Sequence, residues 1–406
     1  MSESLRRAER TGGPRPRLVT RPLALLFTAT VTSLTGVFLL LSVVPMYAVD
    51  GGAGQAGAGL ATGALMLTTV LAELALPRLL GRFGYRAVFG AGTLLLALPT
   101  LALPLSSGLP MVLAASLVRG LGFGVAVVVP NALVAALAPA ERRGEALGLF
   151  GITAGAPAVL ALPLGVWLAD RIGYEPVFLA SAAASLVTLA VLPGIPRGLA
   201  APPASPGGGA PSASPGGDAS RSPRRPLGIV AGLRSPALLR PAAAFAATAM
   251  AAGILITFLP EAVPNGGVAA AALFVQPAAT TAARWWAGRA GDRHGASRLL
   301  LPALAVAAAG MALLVLVPHP AAVFASMAVF GAGFGVTQNA SLSMMYERAP
   351  ASAYGTVSAL WNTGYDGGMG VGGAAFGAAV AQTGYPVAFA LTAAVMLLAL
   401  PLARRT

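Results

Sequence analysis

Residues 288 to 295 read Gly288-Arg289-Ala290-Gly291-Asp292-Arg293-His294-Gly295 and close an apolar run that begins near residue 267. A glycine, an acid beside an arginine and a second glycine at a helix end make a compact corner. The glycines permit close approach and positive φ, and the acid can accept hydrogen bonds from the arginine and from free amides of a neighbouring helix. Subtracting 211 from these numbers lands at the end of another apolar run, where Arg82 stands opposite Arg293 and Gly84 opposite Gly295. At the same offset Gly120-Leu121-Gly122-Phe123-Gly124 meets Gly331-Ala332-Gly333-Phe334-Gly335, Gly144 meets Gly355, Gly173-Tyr174 meets Gly384-Tyr385, and Phe178 meets Phe389. The first apolar run and the loop after it align at 215 instead, through Pro45 with Pro260 and the glycine pairs at 51 and 266. The chain is therefore a duplicated unit, with four residues of insertion near one end.

The 406 residues are 56% hydrophobic and only 10% charged, against roughly 25% charged in soluble domains. So few charges cannot cover the surface of a water-soluble fold. A bilayer core of ~30 Å takes about 20 apolar residues in a helix, and twelve such runs are present: 22 to 48, 56 to 80, 87 to 106, 110 to 137, 145 to 168, 175 to 193, 238 to 261, 267 to 288, 298 to 317, 320 to 345, 354 to 379 and 384 to 403. The expected fold is an all-α membrane protein of twelve transmembrane helices in two pseudo-symmetric six-helix bundles. Residues 1–21 form an N-terminal tail, 22–193 the first bundle, 194–236 a Pro/Gly/Ser-rich linker, and 237–406 the second bundle with a short tail. At about 27 residues the first run exceeds the ~7 to 15 residues of a signal-peptide core and reads as a span.

Cysteine is absent, and all 26 basic residues are arginine. This excludes thiol chemistry, Schiff-base chemistry and a P-loop lysine, and with it a nucleotide partner. Two histidines, His294 and His319, leave no metal cluster. The formal net charge of +13 sorts by topology: with the N-terminus inside, 23 arginines fall on the inner side, Arg171 alone falls outside, and Arg119 and Arg284 lie within spans. That is the positive-inside pattern, with both termini cytoplasmic in a plasma membrane. Arginines scattered over short loops without interleaved aromatics argue against a nucleic-acid partner.

Two parallel six-helix halves joined by a linker resemble the major facilitator superfamily. The loop at 288–295 fits the family's Gly-x-x-x-Asp-Arg-x-Gly pattern at Gly288, Asp292, Arg293 and Gly295. The first-half copy departs from it, with Pro77 in place of the first glycine and Gly81 in place of the acid, while Arg82 and Gly84 remain. The resemblance covers the chain apart from its tail and linker. It implies alternating access, with these residues latching the halves together on the inner side when the cavity opens outward. Because Gly81 offers no carboxylate, the two latches should differ in strength.

Four charges interrupt the spans: Glu73, Arg119, Arg284 and Asp366. Intramembrane charges are costly and usually face a cavity or a partner. Glu73 and Arg284 are repeat equivalents, one helical turn before the loop motif and on its face, which groups Arg284 with the gating residues, whereas Asp366 has Gly155 as its equivalent. An acid in this setting can take up and release a proton, so Asp366 is the main proton-coupling candidate and Glu73 the second. The second and eleventh helices adjoin by family analogy, but counting rise from their inner ends separates the two acids by about 8 Å in depth, so they are not read as a shared-proton pair. Arg119 can bind substrate or act on an acid across the cavity. The remaining substrate-cavity candidates are Asn131, Gln276, Gln338, Asn339 and Asn362, with Trp361 as a stacking surface. Gly364, Gly368 and Gly372 form a small-residue ladder for helix packing. Trp285 and Trp286 fit the lipid interface belt.

These readings describe a monomeric carrier embedded in lipid, needing no cofactor and driven by a proton gradient. In exporting members the fifth span is rich in proline and small residues, as here at Pro157, Pro163 and Gly165, which favours proton-coupled efflux of a small organic or drug-like solute. Import by symport or uniport would share most of the same features, and a non-transporting receptor is the alternative of another class. No enzymatic site is expected, since no Ser/His/acid set is available.

Overall fold

The structure is a computed structural model that describes residues 19–138, 142–196, 234–350 and 353–404. The tail and most of the expected linker lie outside the described residues. Among the described residues all regular structure is helical: α1 (Arg21–Leu41), α2 (Val43–Ala48), α3 (Gly54–Ala102), α4 (Leu109–Leu137), α5 (Arg143–Ile172), α6 (Tyr174–Val191), α7 (Pro236–Ala262), α8 (Gly266–His294), α9 (Ser297–Leu313), α10 (Pro320–Glu347), α11 (Tyr354–Thr383), α12 (Tyr385–Leu398) and a last turn, α13 (Leu400–Arg404).

These elements make the twelve expected crossings. Helices α1 and α2 form one, since Ser42 stays in the α region between them. Helix α3 forms two, because its path is broken at Gly84, where φ is 75°; α4 to α12 supply the other nine. Eight helical stretches are long and apolar enough to cross a membrane on length and composition, the first being Arg21–Leu105 with its three crossings. Helix α11 is long enough at 30 residues but is diluted by Gly, Asn and Asp, and α12 is short at 14 residues. The corner glycines obey the repeat: Gly84 pairs with Gly295 (φ 75° and 84°), and Gly173 with Gly384 (82° and 75°). A side chain at these angles would be strained, so glycine ends one helix and starts the next.

Packing repeats as faithfully. A Cβ at Gly120 would collide with the Leu65 carbonyl, and one at Gly331 with the carbonyl of Gln276, the equivalent of Leu65. Gly124 meets the Thr69 carbonyl as Gly335 meets that of Thr280. The glycine runs let α4 lie against the first limb of α3, and α10 against α8, at backbone contact. Across each contact a threonine closes the same bond: Thr69 donates to the Gly120 carbonyl at 3.1 Å, and Thr280 to the Gly331 carbonyl at 3.1 Å.

The halves join along α3 and α11. Gly59 approaches the Gly373 carbonyl, Gly370 the Met66 side chain, and Gly377 the Gln55 carbonyl. The expected ladder of Gly364, Gly368 and Gly372 lies on another face of α11 and packs against Ala242, Ala246 and Met250 of α7. It is a packing device within the second half. Gly165 on α5 meets the Leu39 carbonyl of α1, so this small residue also serves packing.

Candidate functional site

Glu73 on α3 and Asp366 on α11 come within hydrogen-bonding reach of one another. This corrects the depth estimate that kept them apart. The second span does not stop at residue 80; its helix continues to the bend at Gly84. The extra residues raise Glu73 above the inner end by about 5 Å, at 1.5 Å per residue. Asp366 is 5% exposed, and buried Glu73 Oε1 has no donor. Two ionised carboxylates only accept, so a hydrogen bond between them would require an O–H on one. Asn362 makes no hydrogen bond to Asp366, and neither acid forms an ion pair, among the described residues. Gly124 makes room for Glu73, a Cβ there lying 3.4 Å from the Glu73 Cγ.

Arg284, the repeat equivalent of Glu73, takes a different direction. It is exposed and lies within electrostatic range of Tyr365. Beside it stands an aromatic wall that sequence reasoning found only through Trp361. Phe245 of α7 stacks on Trp361 with ring centres 4.4 Å apart and planes 11° apart, and on Tyr365 at 5.7 Å and 4°. Phe334 of α10 continues the stack to Phe245 at 6.1 Å and to Tyr365 at 6.2 Å. The indole N–H of Trp361 donates to Ser341 Oγ at 3.1 Å, fixing the ring edge. The Trp361/Tyr365 and Phe330/Phe334 spacings of four residues were the available signal, since such pairs share a helix face.

The other candidates do not converge on one point. Gln276 is turned inward to donate to Thr280 Oγ1 at 3.0 Å, inside the α8 and α10 contact. Gln338 is buried with Oε1 unpartnered. Asn339 lies against Gly288, whose Cβ would stand 3.8 Å from Asn339 Nδ2. Asn131 and Asn362 are half-buried. Arg119 is 3% exposed and forms no ion pair with any acid among the described residues, so it does not act on the carboxyl pair directly. In the loop motif Asp292 and Arg293 are both exposed, and no ion pair joins them here. Arg82 stands over the Phe83 ring at 5.2 Å. Trp285 and Trp286 are exposed, Trp285 lying under Arg289 at 3.6 Å.

Among the described residues, the polar ties between the halves lie toward the end opposite the arginine-rich loops. Ser42 donates to the Ile256 carbonyl at 2.5 Å, Thr62 and Thr257 share a bond of 2.8 Å, and Gln55 lies within reach of Glu261. Glu73 with Asp366 is the tie nearest the arginines. Glu261 was missed in the sequence because it sits at the edge of a span.

The described residues thus form a duplicated bundle of membrane-spanning helices whose halves are tied by buried polar side chains. The sequence model of the Major Facilitator Superfamily matches residues 26–372 and again 264–405, and the chain belongs to that superfamily. It is 30% identical over 128 residues to the uncharacterized MFS-type transporter Rv1250 of Mycobacterium tuberculosis (strain ATCC 25618 / H37Rv), covering 32% of this chain and 22% of that one. It is 33% identical over 96 residues to the uncharacterized MFS-type transporter YfiU of Bacillus subtilis (strain 168), covering 24% and 18%. The matched stretch thus spans about a fifth of either relative. Among solved structures it is similar to the crystal structure of a point mutant of the nucleoside transporter NupG, with a TM-score of 0.68, 14% identity, and coverage of 94% of this chain and 99% of that one; at this identity the likeness concerns the fold.

Proposed function

We propose that the protein is a proton-coupled carrier exporting a small organic solute, and that Glu73 and Asp366 are its proton site. One observation carries the reading: the two carboxyls meet across the junction of the halves, so rocking the halves makes or breaks a bond that needs a proton. A proton site so placed links protonation to the conformational change, which is what coupling to a gradient requires. The half-buried rings of Trp361 and Tyr365, backed by the core rings Phe245 and Phe334, support a solute with a planar apolar part. Export rests on the proline and small-residue character of α5; reversing the gradient on the same geometry would give import. Inner-membrane placement with both termini cytoplasmic rests on the arginine distribution.

The test is an untargeted comparison of solutes retained by cells with and without the protein, repeated after collapse of the proton gradient. A solute retained less when the protein is present, with the difference lost on collapse, is the expected result. Greater retention would mean import, and identical retention of every solute would overturn transport.

A further inference from the structure

The N-terminal half contains a small, largely apolar cavity into which three polar side chains are set. It is lined by Arg119 and Ser116 of α4, Thr62 of α3 and apolar residues of α1 and α2, among them Leu41 and Pro45. Its volume is about 10 Å³, near the lower limit for holding a single small molecule.

The lining is unusual in what it lacks. Arg119 is 3% exposed and Ser116 1% exposed, yet neither makes a side-chain hydrogen bond or ion pair among the described residues. Arg119 Nε is buried without a partner. A guanidinium presents five donors and no acceptor, so only an acceptor can satisfy it. An isolated buried cation is among the costliest groups a fold can hold, and a compact anion beside it removes most of that cost. The two side chains lie three residues apart, hence on one face of α4. Thr62 already bonds Thr257 of the other half, which places the cavity against a tie between the halves.

The repeat supplies the control. At the fixed offset of 211, Thr62, Ser116 and Arg119 correspond to Leu273, Met327 and Phe330. All three are apolar and 0% exposed, so the same frame packs without any polar group. These three polar side chains are therefore an addition confined to one half and not a demand of the fold.

We infer that Arg119, Ser116 and Thr62 form a binding site for one compact monovalent anionic group, either a free halide or the carboxylate of a solute. The inference goes beyond the proposed function and does not depend on the acid pair. A spherical anion or a single carboxylate oxygen matches the cavity size, with Arg119 supplying charge and the hydroxyls of Ser116 and Thr62 supplying donors.

Thermal unfolding of the purified full chain in detergent, at constant ionic strength and pH, provides the test. Methanesulfonate, too bulky for the cavity, serves as reference anion and is replaced stepwise by chloride, bromide or acetate. A ligand that binds the folded state raises the melting temperature in a saturable way. Saturable stabilisation by chloride and bromide identifies a halide site; stabilisation by acetate but not the halides identifies a carboxylate site. Either response should vanish in Arg119→Gln and shift to several-fold higher anion concentration in Ser116→Ala. Equal melting in all four anions overturns the inference, as does a wild-type response retained in Arg119→Gln. If Arg119→Gln is not recovered folded, Ser116→Ala and Thr62→Val decide, and unchanged half-saturation in both overturns the site.

Discussion

In the first half Thr69 donates to the Gly120 carbonyl, and in the second Thr280 donates to that of Gly331, both at 3.1 Å. One turn further along the same two helices the halves part company: Glu73 reaches across to Asp366, while its equivalent Arg284 faces Tyr365. Asp366 in turn has only Gly155 as its counterpart, and Arg119 has Phe330. Glycines, corner angles and threonine ties are thus common to both halves, because each has to solve the same helix-packing problem. The charges within the spans are not shared, and they distinguish the two halves. The first half contributes one acid and an arginine with no ion pair among the described residues; the second contributes the other acid and a stack of aromatic rings.

The comparison can be broken most severely through transport. In proteoliposomes, Glu73→Gln should reduce gradient-driven flux of the identified solute to background, whereas Arg284→Gln should leave the flux dependent on the proton gradient. Equal loss of gradient dependence in both would mean that the two positions act alike. Next in size, Gly120→Val and Gly331→Val both drive a side chain into a backbone carbonyl. Overpacking of this kind costs about 1–3 kcal/mol or more. Comparable drops in melting temperature are expected, and a drop in only one half would show that the frames differ. Thr69→Val removes a buried hydroxyl donor, worth about 1 kcal/mol, whereas Thr280→Val also strands the Gln276 amide that donates to it and should lower the melting temperature further; equal drops would show that this amide contributes nothing. Smallest is Asp292→Ala: the side chain is exposed and unpaired here, so stability measured by thermal unfolding should change by no more than about 0.5 kcal/mol.

The shared frame was legible in the sequence because packing glycines and corner glycines are constrained by backbone sterics, and such constraints repeat with the fold. Arg82 with Arg293 and the two glycine runs therefore gave the register directly. The acid pair was not legible for a geometric reason. Depth counted from the end of the apolar run at residue 80 omitted the last turn before Gly84, which is polar enough to look like a loop yet remains helical. Phe245 escaped because nothing in the composition of α7 distinguishes a stacking ring from a core ring; only the partners on α10 and α11 do so. Arg119 was visible as a buried charge, but its lack of an acid partner depends on three helices meeting around it. The loop motif was legible as a sequence pattern, and among the described residues neither Asp292 nor Arg293 forms an ion pair.

The central claim is that a proton held between Glu73 and Asp366 couples the two halves to a gradient. Its most direct test compares wild type and Asp366→Asn in proteoliposomes loaded with the identified solute, measuring flux driven by an imposed pH difference and solute exchange without one. The account predicts that Asp366→Asn loses the pH-driven flux and keeps the exchange, since the folded carrier remains but the proton site is gone. Undiminished pH-driven flux in Asp366→Asn would contradict it.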